Sequence, residues 1–188
     1  KKLKENYVMP RSSNEGKAQI KEWVSTISPE HFHILDVATG QGTYYNMFND
    51  LDNLKNCKWT GIEIWPRWIK KFALKEKYNT LFQEDIRTFD YNAQTPNIDI
   101  AFAGDVLEHM TKVEAIALVS KLLEVTDNLI VSIPIVYMPQ GADGGNPYEI
   151  HVKPDWSHEE MLESFPQIKK SWAGKKIGVY WLSPKENN

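Results

Sequence analysis

The chain has one cysteine, Cys57, in 188 residues. A lone thiol excludes an internal disulfide framework and a cysteine-rich zinc site, and it fits a reducing compartment, so a cytoplasmic location is expected. Long apolar runs are missing as well. No stretch reaches the length of a bilayer span, and the opening Lys1-Lys2-Leu3-Lys4-Glu5-Asn6 lacks the apolar segment of a signal peptide. Membrane insertion is therefore not expected. An excess of positive charge is also absent: 22 Lys and Arg stand against 25 Asp and Glu, for a net charge of −3 with the two signs interspersed. That leaves no electrostatic footprint for a nucleic-acid backbone, so nucleic acid is not an expected partner. Internal repeats, low-complexity tracts and linkers are not visible.

What is present is apolar material for one sizeable core, at 41% hydrophobic and 12% aromatic residues. A single domain over residues 1–188 is expected, with an N-terminal lid and helix over 1–30, a core over 31–133, and a loop with a closing hairpin over 134–188. The organising stretch is His33-Ile34-Leu35-Asp36-Val37-Ala38-Thr39-Gly40-Gln41-Gly42-Thr43-Tyr44-Tyr45. Ile34, Leu35 and Val37 form the short apolar run of a strand buried on both faces. Gly40 and Gly42 allow a tight turn and close approach to a ligand. Asp36 interrupts the run, and a carboxylate there is costly unless something pairs with it.

The same grammar recurs. Strand-like runs over 59–64, 80–86 and 98–105 end in or near Glu63, Asp85 and Asp105, and Leu129 to Ile133 reads as a fifth strand. Helices are expected from Ser13 to Ile27, from Pro66 to about Tyr78, from Thr111 to Val125, and from His158 to Ser164 with Ser157 as cap and Glu160 placed for a capping box. Phe89 to Asn97 reads as a loop. Pro134 to Ser157 is too rich in Gly and Pro to be regular, and Ile168 to Ala173 with Ile177 to Leu182 reads as a hairpin around Gly174-Lys175-Lys176.

A glycine turn followed by acidic strand ends resembles the class I methyltransferases that use S-adenosylmethionine, and the resemblance covers nearly the whole chain. It implies a three-layer αβα sandwich with a doubly wound, mostly parallel seven-stranded sheet and a C-terminal antiparallel hairpin. It places Asp36, Ala38, Gly40 and Gly42 around the methionine part of the cofactor, with Gly104 and Asp105 beside them. Glu63 would hold the ribose hydroxyls and Asp85 the adenine amino group. Ile86 would pack on the ring, and Ile64 or Trp65 would cover its other face. Arg11, in the place of a lid, is a candidate for the cofactor carboxylate. The chain departs from the family pattern at Ala38, where many members have glycine; an added methyl is a small change.

Methyl transfer to a hydroxyl needs alignment and a base. Gly104-Asp105-Val106-Leu107-Glu108-His109 follows the fourth strand and resembles an Asp-x-x-Glu-His pattern of small-molecule and sugar methyltransferases. His109 is the first candidate base and His151 the second, with Glu108 beside them. The run Asn146-Pro147-Tyr148-Glu149-Ile150-His151, followed by Trp156, resembles an acceptor loop of bacterial and viral glycan-associated enzymes. Tyr148, Glu149, His151 and Trp156 then become candidate sugar contacts. The implied activity is O-methylation of a sugar hydroxyl on a glycan or nucleotide sugar, with S-adenosylhomocysteine as product. The first residue is not methionine, and one domain of a longer glycan-processing polypeptide is among the readings of that terminus. Asp105, Glu108, His109 and His151 include ligand types for a divalent ion, but their spacing is no recognised set, and a metal-free mechanism is ranked first.

Four rivals are weighed. A nicotinamide oxidoreductase is opposed by Tyr45 at the third position of the GxGxxG fingerprint and by the lack of any Tyr followed four residues later by Lys. A nucleic-acid methyltransferase is opposed by charge and by the lack of an Asn/Asp-Pro-Pro-Tyr/Phe motif. A non-sugar small-molecule O- or N-methyltransferase, and a non-catalytic binding or assembly module of the same fold, stay open.

Overall fold

The structure is a computed structural model that describes residues 12–184, apart from 28–31, 50–53, 55 and 96. One seven-stranded sheet runs in the order β3-β2-β1-β4-β5-β7-β6. The strands are β1 His33–Val37, β2 Lys58–Ile62, β3 Thr80–Phe82, β4 Ile100–Gly104, β5 Leu129–Pro134, β6 Ile168–Ala173 and β7 Ile177–Leu182. The first five pair in parallel, and β7 lies antiparallel between β5 and β6. The helices are α1 Lys17–Ser25, α2 Thr43–Phe48, α3 Pro66–Lys71, α4 Leu74–Lys77, α5 Tyr91–Gln94, α6 Lys112–Leu123 and α7 His158–Ser164.

Strand alternation makes the three layers. Ile34, Ile100, Phe102 and Ile130 face a core shared with Ile20, Trp23 and Val24 of α1, Tyr44 and Phe48 of α2, and Ile69 and Leu74. Their sequence neighbours Leu35, Ala101, Ala103, Leu129 and Val131 face the other core, with Ala115, Leu118, Val119 and Leu122 of α6 and Met161 of α7. Burying each such large side chain stabilises the fold by about 1.5–3 kcal/mol. At the start of α6, the Thr111 hydroxyl accepts from the Glu114 N–H while the Glu114 carboxylate accepts from the Thr111 N–H, a complete capping box.

Local details depart from the sequence reading. The expected single helix from Pro66 is broken into α3 and α4 at Ala73, whose φ of 50° is left-handed. The expected third strand stops at Phe82, leaving Asp85 in a turn, and the Phe89–Asn97 loop contains α5, capped by the Asp90 carboxylate on the Ala93 N–H. At α7 the Ser157 hydroxyl accepts from the Glu160 N–H as expected, but the Glu160 carboxylate turns to Lys112 and Lys153 instead of closing a capping box.

Among the described residues, no helix is long and apolar enough to cross a membrane. The strand order reverses between β1 and β4, and in open α/β sheets ligands bind outside the carboxyl ends of the strands at such a switch point.

Candidate cofactor and acceptor site

A cavity of about 480 Å³ opens at that point, within the usual range for small-molecule sites. The turn after β1, the ends of β2 and β4, the segment after β3, and the loop around Tyr148 line it.

Its floor is acidic. Asp36 is buried, with one carboxylate oxygen accepting from the Tyr78 hydroxyl at 2.5 Å. Burial pushes its carboxyl up to about 7 against the pull of Tyr78 and Lys17. Glu63 is also buried and accepts from the Gly40 N–H at 2.9 Å and the Trp65 N–H at 2.8 Å. Burial raises it to about 7, while those backbone donors pull the other way. Each Glu63 oxygen keeps a lone pair for a further donor. The two carboxylates therefore face the cavity from adjacent strands, with β1 and β2 in register from His33–Lys58 to Val37–Ile62.

The glycine turn is shaped as its sequence requires. Gly40 and Gly42 have φ of 55° and 78°, and Ala38, where the family pattern has glycine, has φ of 54°. An L-residue in that region costs roughly 1–2 kcal/mol, so Ala38 is strained where glycine would not be. Ala38 and Gly40 line the cavity, whereas Gly42 lies beside Lys77 and Leu74 as the residue ahead of α2. Gly104 also lines the cavity, and its missing Cβ serves packing: an added methyl would collide with the ring and hydroxyl of Tyr44. That ring stacks on Phe102 at 4.5 Å.

Asp85, Ile64 and Ile86, the candidate adenine contacts, line the cavity. Asp85 is already engaged, because Arg87 Nη2 meets its Oδ2 at 2.7 Å and Arg87 Nε and backbone N–H meet its Oδ1 at 3.0 and 2.9 Å. The guanidinium holds the carboxyl below its ordinary value. The Ile86 carbonyl accepts from Tyr91 Oη at 2.9 Å, which pins this segment. Trp65 meets Tyr148 edge to face at 6.1 Å, and Tyr148, Pro147 and Glu149 close the cavity from the loop side.

Asp105 sits at the end of β4 with φ of 55°, its N–H bonded to the Ser132 carbonyl at 2.7 Å. Burial raises its carboxyl; Lys17 of α1, the Ser12 hydroxyl and His151 oppose that rise. Lys17 lies 3.5 Å from the Tyr44 hydroxyl, and its own ammonium is lowered by burial. Arg11 lies outside the described residues. Lys17 was not singled out in the sequence, where it reads as one more polar position on an amphipathic helix.

Beyond Asp105 a 3₁₀ turn over Leu107–His109 brings Glu108 and His109 to His151. The imidazoles of His109 and His151 are 4.9 Å apart, edge to face. His109 Nδ1 bonds the Ile150 carbonyl at 3.3 Å, and His151 Nδ1 bonds the Met138 carbonyl. A carbonyl only accepts, so Nδ1 is the donor in each pair, and in a neutral ring that leaves Nε2 as the atom with a lone pair. Burial lowers His109 to about 4, leaving it neutral near pH 7. Burial and the Asp105 carboxylate push Glu108 well up. Glu149 is raised to about 7 by burial and by Glu63, Asp143 and Asp105.

One expected contact is corrected. Trp156 is fully buried against Phe165, Met161 and the Lys153 ammonium, and it lines no part of the cavity. Its ring lies in the core with the Lys153 ammonium over it, so the aromatic surface that lines the cavity comes from Tyr148, Tyr44 and Trp68 instead.

No protein-family model matches the chain, and no curated protein sequence does. Solved structures do. The N-terminal domain of EvdMO1 with S-adenosylhomocysteine bound superposes with a TM-score of 0.62 at 12% identity, covering 92% of this chain and 82% of that one. The fold is that of the class I methyltransferases. Magnesium protoporphyrin IX methyltransferase from Synechocystis, also with S-adenosylhomocysteine bound, gives 0.62 at 13% identity over 90% of this chain and 82% of that one. The small RNA methyltransferase HEN1 gives 0.64 at 16% identity over 96% of this chain but 27% of that one. The methyltransferase fold thus includes an enzyme of RNA, so the fold does not support the expectation against nucleic acid, which rests on charge and on the missing motif.

Proposed function

We propose that the protein binds S-adenosylmethionine in this cavity and methylates a hydroxyl of a small carbohydrate. The observation behind the reading is that Asp36, Glu63 and Asp85 converge on one cavity around the Gly40 turn, beside Glu108, His109 and His151. The residues fit the group. Asp36 has an oxygen left for an ammonium, the two Glu63 oxygens keep lone pairs for a diol, and Ile64 and Ile86 offer apolar contact for a flat ring. Asp85 would reach an adenine amino group only in competition with Arg87. When bound, the cofactor supplies a sulfonium methyl, whose bond to sulfur breaks with the electron pair staying on sulfur as carbon joins the acceptor oxygen.

The chain's own residues do the rest. Tyr148, backed by Trp65, lines the loop side of the cavity, and Glu149 offers a hydrogen-bond acceptor to a sugar hydroxyl. Alignment of acceptor and methyl carbon is worth about 7–11 kcal/mol. The hydroxyl proton leaves toward the Glu108, His109 and His151 group, where the imidazoles are first and second candidates to receive it. EvdMO1 has also been crystallised in the presence of S-adenosylhomocysteine and D-fucose, which favours a sugar acceptor. The likeness to a small RNA methyltransferase keeps an RNA acceptor as the second reading.

Product analysis against glycosides, RNA oligonucleotides, phenols and amines tests the reading. A sugar methyl ether is expected, with His109→Ala and His151→Ala each lowering turnover by about 10²–10⁴-fold while cofactor binding persists. Methylation of phenols or amines alone would overturn the sugar assignment, and RNA alone would favour the second reading.

A further inference from the structure

We infer that Glu108, His109 and His151 form a binding site for one divalent transition-metal cation such as Mn²⁺, opening onto the cavity beside the acceptor. A carboxylate oxygen of Glu108 and one ring nitrogen of each histidine lie within 4.8 Å of one another. Around an ion at about 2.0–2.2 Å, three such ligands would stand roughly 3–4.3 Å apart, so a small inward movement of the side chains closes the set.

Three features separate this from a chance cluster. The Nδ1 of each histidine is bonded to a backbone carbonyl, Ile150 for His109 and Met138 for His151. Such a partner fixes the ring and leaves Nε2 as the ligating atom, the outer-shell arrangement usual for metal-bound imidazole. Glu108 is 2% exposed, and its Oε2 is buried with no hydrogen-bond partner. A buried carboxylate oxygen without a donor is costly, and a cation would satisfy it. Finally, the ligands join two elements: Glu108 and His109 come from the turn after β4, His151 from the loop after β5. The Lys153 N–H donates to the Glu108 carbonyl at 3.0 Å and fastens that loop to the turn.

Two imidazoles and one carboxylate leave coordination positions open, and the mixed nitrogen and oxygen set suits Mn²⁺, Fe²⁺, Co²⁺ or Zn²⁺ better than an all-oxygen ion. The site's role rests on the methyltransferase reading. His109 lines the cavity, so an acceptor hydroxyl can reach the same ion and become more acidic there. With the ion bound, both imidazoles would be ligands rather than bases, so the hydroxyl proton would pass to water instead of to a histidine; the oxygen pair would form the bond to the methyl carbon, and the carbon–sulfur pair would stay on sulfur.

The test is titration of the full chain, stripped with chelator, with Mn²⁺ followed by loss of the free-ion EPR signal. One Mn²⁺ per chain is expected, weakened at least tenfold by His109→Ala, His151→Ala and the near-isosteric Glu108→Gln, with folding checked by circular dichroism. Co²⁺ provides a second readout through its visible bands, which should change in each variant. No saturable Mn²⁺ or Co²⁺ binding by folded protein, or binding unchanged in all three variants, would overturn the site. Binding of S-adenosylmethionine is measured separately by calorimetry: ion binding without cofactor binding would remove the methyltransferase reading and leave the site standing. If methylation is seen, excess chelator should abolish it and Mn²⁺ restore it; full activity in chelator would overturn the role.

Discussion

Glu63 fastens two segments at the cavity, since its carboxylate ties the Gly40 and Trp65 N–H groups to the end of β2. Hydrogen bonds to a charged acceptor are worth about 1.5–3 kcal/mol each. Glu63→Ala should weaken S-adenosylmethionine binding by on the order of 2 kcal/mol, about thirtyfold, in a calorimetric titration. Unchanged affinity in a folded variant would remove the assignment. Asp36 and Glu63 also make a pH prediction, since both sit at about 7, above their ordinary carboxyl range. The folded protein holds protons there that the unfolded chain releases near pH 4, so these groups make stability fall as pH rises from about 4 to 7. A bound cation and diol favour the ionised forms, so cofactor affinity should rise from pH 6 to pH 8 with proton release on binding. Affinity falling over that window would contradict the assignment. Little of this partnering was legible in the sequence. The acidic strand ends and the glycines announce themselves because charge and glycine are conspicuous inside apolar runs. Tyr78 on Asp36, Arg87 on Asp85 and Lys17 near Asp105 join residues by tertiary geometry or by a turn, with no periodic signal.

At the scale of elements, strands and capped helices were readable because each writes its period and its punctuation locally. The β6–β7 hairpin and α7 fall where the residues predict. The α3–α4 break was not readable: Ala73 takes a left-handed backbone that no glycine or proline marks. Trp156 misled for a similar reason, because in a loop of polar and aromatic residues the sequence does not say which ring turns inward. Packing between β4 and α2 offers a test at this scale. A methyl on Gly104 would strike Tyr44, so Gly104→Ala should cost about 1–3 kcal/mol in denaturant unfolding. Combined with Tyr44→Leu, the cost should be less than the sum of the two single changes. Strict additivity would mean that the two residues do not share that space.

The whole molecule sets an acidic cavity at the sheet's switch point, with a histidine and carboxylate cluster at its far side. Class I methyltransferase architecture explains why Asp36, Glu63, Asp85 and Asp105, spread along the chain, meet at one edge: Asp36 lies near the carboxyl end of β1, and the others follow β2, β3 and β4, parallel strands of the same sheet. The central claim is that this edge holds S-adenosylmethionine, and calorimetric titration of the folded protein with that compound tests it most directly. The account predicts one cofactor bound per chain, with affinity lost on Glu63→Ala; no heat of binding from protein that is folded by circular dichroism would contradict it.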